Sequence, residues 1–226
     1  MEKQTERLHF IMAFIGGWLG VYALLHFANL FGSAQTSNLI AIVTCLLGGN
    51  FTEFVQRLGG MALYMAAVAL ATWLPRRLTA DLRVVSLGID GAAAVILGLF
   101  PAEIPPVLGL YPLFFAMAVQ WCSFPGAYGF TSSTIFSTNN LRQFTSAVTE
   151  VSLNHDPSYR LKARFFGLTL LSFHAGVAVS YLLWDAVGFQ AAWLCLIPIL
   201  AAFGMVRRSI QTASDAEPDA EVKPVR

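Results

Sequence analysis

Charge is what this chain has least of. Only 12% of its 226 residues are Asp, Glu, Lys or Arg, about half the share carried by a soluble globular domain. Net charge is +1, and no basic stretch is dense enough to hold a phosphate backbone, which excludes nucleic acid as a partner. Cysteine is scarce as well. Cys45, Cys122 and Cys195 sit in apolar runs without metal-ligand spacing, and an odd number leaves no closed disulfide framework, so all three read as small buried apolar side chains. There is no H-E-x-x-H, no phosphate loop and no Ser or Cys nucleophile motif. No catalytic residue, cofactor or metal is therefore expected, and the chain does not read as an enzyme. The first apolar run, behind Lys3 and Arg7, is too long for a signal peptide and lacks a small-x-small cleavage site, so it reads as a retained helix.

What is present is hydrocarbon. The chain is 56% hydrophobic, in runs at approximately 9–31, 58–74, 84–101, 106–124, 165–184 and 188–206. Each is near the roughly 20 residues that cross a bilayer, which predicts an all-α integral membrane protein with six transmembrane helices. With the N-terminus (1–8) in the cytoplasm, every Lys and Arg except Arg57 falls on the cytoplasmic side, as the positive-inside rule requires. Both termini are then cytoplasmic. The polar stretch 207–226 has no apolar periodicity and reads as a disordered tail.

Two segments do not fit a spanning pattern. Residues 36–39 read T-S-N-L and residues 138–141 read T-N-N-L. The first opens an apolar stretch, 37–48, too short to cross. If it crossed, Arg76, Arg77 and Arg83 would move outside and the charge bias would collapse. It therefore reads as a half-helix that returns to its own side, and 138–151 reads as a more polar second copy. At an offset of 102 the first span overlays the fourth, with Gly16 on Ala118, Trp18 on Gln120 and Thr36 on Thr138. Each half, 9–101 and 106–206, then holds three spans and one half-helix opened by T-x-N-L. An odd number of spans makes the halves inverted, the arrangement in which transporters place sites near the bilayer midplane. Thr, Ser and Asn are good helix N-caps, and a helix starting inside a membrane protein must satisfy its first N–H groups internally. Any left free point a positive dipole end at the site.

The stretch "AFIGGWLGVYALLHFANLFGSAQTSNL" (13–39), with "FAMAVQWCSF" (115–124) followed by "STNNL" (137–141), resembles the YoaK-like family of six-span bacterial inner-membrane proteins, a domain of unknown function. The resemblance covers about 8–206 and implies the fold and an inner-membrane location, with no substrate. The chain departs from the pattern in three places. Gly20 stands where the family has an Asp in its first helix. Ser37 and Asn139 replace the middle Gly of T-G-N. Trp121 follows Gln120 where an Asn is expected.

Ionisable and strongly polar side chains inside spans are costly and mark candidate sites. His26, Asp90 and His174 qualify, with Gln120, Thr36, Asn38, Thr138 and Asn140 as the uncharged set. Together they predict a solute-binding site, most simply that of a transporter or channel for a small polar solute or ion. A structural or accessory membrane protein, or an intramembrane enzyme using His26, Asp90 and His174, is the competing expectation. The expected partners are the lipid bilayer, the solute and a possible second copy as a homodimer. Gly16 and Gly20 form G-x-x-x-G, which lets helices approach closely.

Overall fold

The computed structural model describes residues 2–27, 30–31, 34–101 and 103–215. Nearly all are helical: α1 (Glu2–His26), α2 (Gln35–Leu47), α3 (Phe51–Arg77), α4 (Leu82–Gly98), the single turn α5 (Pro106–Gly109), α6 (Tyr111–Ser123), α7 (Thr138–Ser152), α8 (Arg160–Val187), the single turn α9 (Ala191–Leu194) and α10 (Leu196–Asp215). Four stretches are long and apolar enough to cross a membrane: Glu2–His26, Phe51–Arg77, Pro106–Ser123 and Pro157–Thr212, the last containing both α8 and α10. The chain is an all-α membrane protein. Helix α1 begins at Glu2, so residues 2–8 are part of the first helix. Helix α10 runs through 207–215, which corrects the expected disordered tail there. The remainder of that tail, 216–226, lies outside the described residues.

The core is built around α1, whose Met12, Ile15, Leu19, Tyr22 and Ala23 are fully buried. Its closest partner is α8, and the two run parallel: Glu6 pairs with Arg164 at 2.6 Å, His9 stacks on Phe165, and His26 meets Trp184. They cross where both carry glycine. A Cβ on Gly17 would strike the carbonyl of Phe173, and one on Gly176 would strike the carbonyl of Phe14. Glycine on both sides is what lets the two backbones touch. Helices α3 and α6 form a second parallel pair, from Gln56, whose carbonyl accepts from the Tyr111 hydroxyl at 2.8 Å, through Gly60 against Phe114 to Ala67 against Ala118 and Val119. Helix α2 lies against α3, α7 against α8, α4 against α6, and α10 against both α1 and α4.

Both half-helices start inside the bundle and run outward to opposite ends. Ahead of α2, the ring of Phe31 rests on Gly20 of α1. Ahead of α7, the chain leaves α6, turns in a hairpin of β1 (Gly126–Ala127) and β2 (Phe130–Thr131), and threads back through 132–136, where the Ser133 hydroxyl accepts from the N–H groups of Ile135 and Phe136. Tyr128 (φ 56°) and Gly129 (φ 74°) make the turn, both positive as a two-residue type I′ hairpin requires. Tyr128 is held in that costly conformation by its N–H to Glu2 and its hydroxyl to Glu6. The returning strand reaches Gly16, where a Cβ would collide with the carbonyl of Thr134. Two adjacent glycines of α1 therefore admit two backbones, Gly16 that strand and Gly17 α8.

The Asp81 side chain caps α4, accepting from the Arg83 N–H at 2.9 Å. The hydrogen-bonded Arg83 guanidinium holds its carboxyl below the usual range. A carboxyl lowered in the folded state stabilises above its unfolded pKa, and that contribution fades as pH falls through the folded value. Asp81→Ala is expected to cost about 1 kcal/mol at neutral pH and much less in strong acid, read as the difference in detergent melting curves. Gly17→Leu is expected to cost on the order of 2 kcal/mol or more by forcing α1 off α8, read as a lowered melting temperature. The same change at Gly204, where a Cβ meets nothing, should leave the melt almost unmoved.

Candidate functional site

The two tetrads meet. Ala34, Gln35 and Thr36 from the start of α2, and Phe136, Thr138, Asn139 and Arg142 from the start of α7, line one cavity of about 560 Å³, closed by Tyr64 of α3 and Trp121 of α6. At about 100° per residue, positions one and three of each tetrad point to opposite sides of the helix. Position one, Thr36 or Thr138, faces the cavity. Position three, Asn38 or Asn140, is buried at 2% and 1% exposure and anchors the first turn to the protein. Position four, Leu39 or Leu141, is exposed on the outer surface. The tetrad recurs because each half-helix start has the same three neighbours: a cavity, an anchor and the outside.

The anchors differ in detail. Asn38 donates to the carbonyl of Arg57 at 3.2 Å and accepts from the Arg57 guanidinium at 3.3 Å, which also pairs with Glu53 at 2.6 Å. The one basic residue that broke the charge pattern is thus buried, neutralised and holding α2 to α3. Asn140 donates to the carbonyls of Ser133 and Phe136 at 2.7 and 3.1 Å and accepts from Ser132 at 3.0 Å.

That last bond begins a buried network the sequence reading missed. Ser132 also contacts Nε2 of His9 at 3.0 Å. Because the amide nitrogen of Asn140 is spent on two carbonyls, its oxygen must accept the single Ser132 proton. His9 then donates from Nε2, which leaves Nδ1 bare, buried and without a partner. Gln120 completes the layer, donating to the Met12 carbonyl at 3.0 Å and to Thr134 at 2.9 Å. His9, Gln120 and the run Ser132-Ser133-Thr134 are all buried. Asn140 and Ser133 bond the backbone of the returning segment, which has no helical partner of its own, while His9 and Gln120 hold its Ser132 and Thr134 side chains. The polar run "TSST" at 131–134, inside an apolar chain, was the signal that could have found this.

Several expectations need correction. The threonines do not cap their helices: the N-cap positions are Ala34 and Ser137, and neither N-terminus has a side-chain cap. Gln120 supports the strand and does not line the cavity. His174 is exposed on the outer face of α8, bonded to the carbonyl of Leu170 one turn back, because the buried stripe of α8 follows Thr169, Phe173, Gly176 and Ser180. His26 lies at the end of α1 among Tyr22, Phe189 and Trp184. Asp90 is fully buried with Ser86 and Cys195 alongside, and neither carboxyl oxygen has a hydrogen bond among the described residues. These three ionisable groups occupy separate places. Of the cysteines only Cys195 is buried; Cys122 is exposed and Cys45 intermediate. Among the described residues no group of His, Cys, Asp and Glu could hold a metal ion.

A family model described as a protein of unknown function, DUF1275, matches residues 8–205, so the chain belongs to that family. The YoaK-like resemblance is consistent with this membership. No curated protein and no solved structure matches the chain.

Replacing Gln120 by Leu removes the donor shared by the Thr134 hydroxyl and the Met12 carbonyl, which keeps its helical bond, and buries an apolar group against both. It is expected to destabilise by about 1–3 kcal/mol, measured by thermal unfolding in detergent. Gln120→Glu retains the shape and removes the donor, and should cost at least as much.

Proposed function

We propose that this DUF1275 protein carries a small polar solute or ion across a bacterial inner membrane, through the cavity shared by its two half-helices. In this reading it crosses six times, as α1, α3, α4, α5 with α6, α8 and α10, in two inverted three-helix halves with both termini cytoplasmic. The parallel run of α1 and α8 supports that path, because parallel helices require an odd number of crossings between them, here three. Exchanging the halves maps the α1–α8 pair onto α6–α3 and the α2–α3 pair onto α7–α8, the pairing an inverted repeat produces.

The observation that carries the function is that equivalent residues of the two halves, Thr36 and Thr138, line one cavity. Half-helices that begin at mid-depth and diverge to opposite faces leave the shortest polar route where they meet. A purely structural bundle has no use for it.

The test replaces Cys45, Cys122 and Cys195, then introduces Thr36→Cys and Thr138→Cys. Both are expected to react with a small membrane-impermeant thiol reagent and to cross-link to each other in native membranes. Thiols that stay unreactive from both sides, or that never cross-link, would overturn the pathway and leave a packed scaffold.

A further inference from the structure

We infer that the face where α1 meets α10 holds an anionic glycerophospholipid from the leaflet at the start of α1, an inference independent of the solute pathway. Two cavities adjoin on that face, with Phe10 and Ile11 lining both. The outer one, of about 770 Å³, is lined by Lys3, Arg7 and Arg208. The inner one, of about 490 Å³, runs between α1, α8 and α10 and is lined by Phe14, Leu171, Ala175, Pro198 and Ala201.

Helical spacing produces this arrangement. On α1 the lining residues are Lys3, Arg7, Phe10, Ile11 and Phe14, and on α10 they are Pro198, Ala201, Met205 and Arg208. Steps of three and four keep each set on one stripe of its helix. The two helices run antiparallel here. Gln4 donates to the Met205 carbonyl at 3.5 Å, while Ile11 shares the inner cavity with Pro198. The basic end of each stripe therefore falls at the same level, and the apolar remainder of both continues inward from it.

The three cations have nothing to neutralise them. Among the described residues the ion pairs are those of Arg57, Arg83 and Arg164. Glu2 and Glu6, the acids nearest along α1, are bonded instead to Tyr128 and Arg164. Three exposed positive charges above an apolar trough match a phosphodiester above an acyl chain. A zwitterionic headgroup would bring its own cation against them, so the site selects a lipid of net negative charge. From Arg208 to Pro198 the helix rises about 15 Å. That is half of the roughly 30 Å hydrocarbon core, the depth of a single leaflet. A free phosphate would use the basic mouth alone and leave the trough empty.

The experiment is native mass spectrometry of the full chain in a non-ionic detergent, with phosphatidylglycerol and phosphatidylcholine offered in equal amounts. The wild type is expected to retain phosphatidylglycerol about tenfold more than phosphatidylcholine. Arg7→Gln with Arg208→Gln should abolish that preference, and Arg7→Lys with Arg208→Lys should restore most of it. Arg76→Gln with Arg160→Gln removes as much charge from exposed positions outside the groove and should leave the preference intact. Ala201→Phe fills the trough and should lower phosphatidylglycerol retention with the three cations in place. Equal retention of the two lipids by the wild type overturns the inference, as does a preference that survives Arg7→Gln with Arg208→Gln. Retention unchanged by Ala201→Phe, or phosphatidylglycerol displaced by excess inorganic phosphate, assigns the mouth to a free anion and overturns the lipid.

Discussion

Hydrocarbon provides no hydrogen-bond partner, and a backbone that leaves the helix inside a membrane protein must find one in the protein itself. That constraint organises this chain. Two segments break helical continuity beside the middle of α1, one at Gly20 and one at Gly16. Almost every buried polar side chain nearby serves them. Asn38 ties the start of α2 to α3. Asn140, Ser132, Ser133, Thr134, Gln120 and His9 hold the strand ahead of α7. The second set is larger because its lead-in is longer, residues 124–137 with the hairpin among them, where only 27–34 separate α1 from α2.

The glycines of α1 belong to the same constraint. A returning strand and a parallel helix cannot both reach the axis of the bundle past ordinary side chains. Gly16 and Gly17 expose two adjacent faces of one helix, and each takes one neighbour. Gly176 answers Gly17 from the other side. The run "GGWLG" therefore does more than bring two helices close, since it is where the segment ahead of α7 and α8 are both fitted against α1. Trp18, between those glycines and Gly20, is itself buried.

Much of this was legible beforehand. Helix length and apolarity located each long helix, because a bilayer-length run has few other uses, but not its ends: α1 starts at Glu2 where the apolar run starts at 9, α3 at Phe51 and not 58, and α10 at Leu196 and not 188. The charge bias made 37–48 an expected short segment, and α2 is a helix of 13 residues, below the length that crosses a bilayer. What could not be read was which way side chains face. His174 looked central by depth, yet it lies one residue, about 100°, off the stripe of Phe173 and Gly176. The threonines looked like caps because their chemistry suits capping, but each helix begins earlier: Thr36 is the second helical residue and Thr138 the first. His9 escaped notice because its partner Ser132 is 123 positions away, beyond any local pattern.

No side chain caps the start of α2 or α7. A cap would satisfy one of the four N–H groups that a helix start leaves without a helical partner. Here the threonines line the cavity, the asparagines are committed to anchoring, and the N-cap position falls to Ala34 on one side and on the other to Ser137, whose side chain makes no cap bond. The lack of a side-chain cap is common in this fold, shared by α6 and α8. What sets the starts of α2 and α7 apart is their place, at equivalent positions around one cavity.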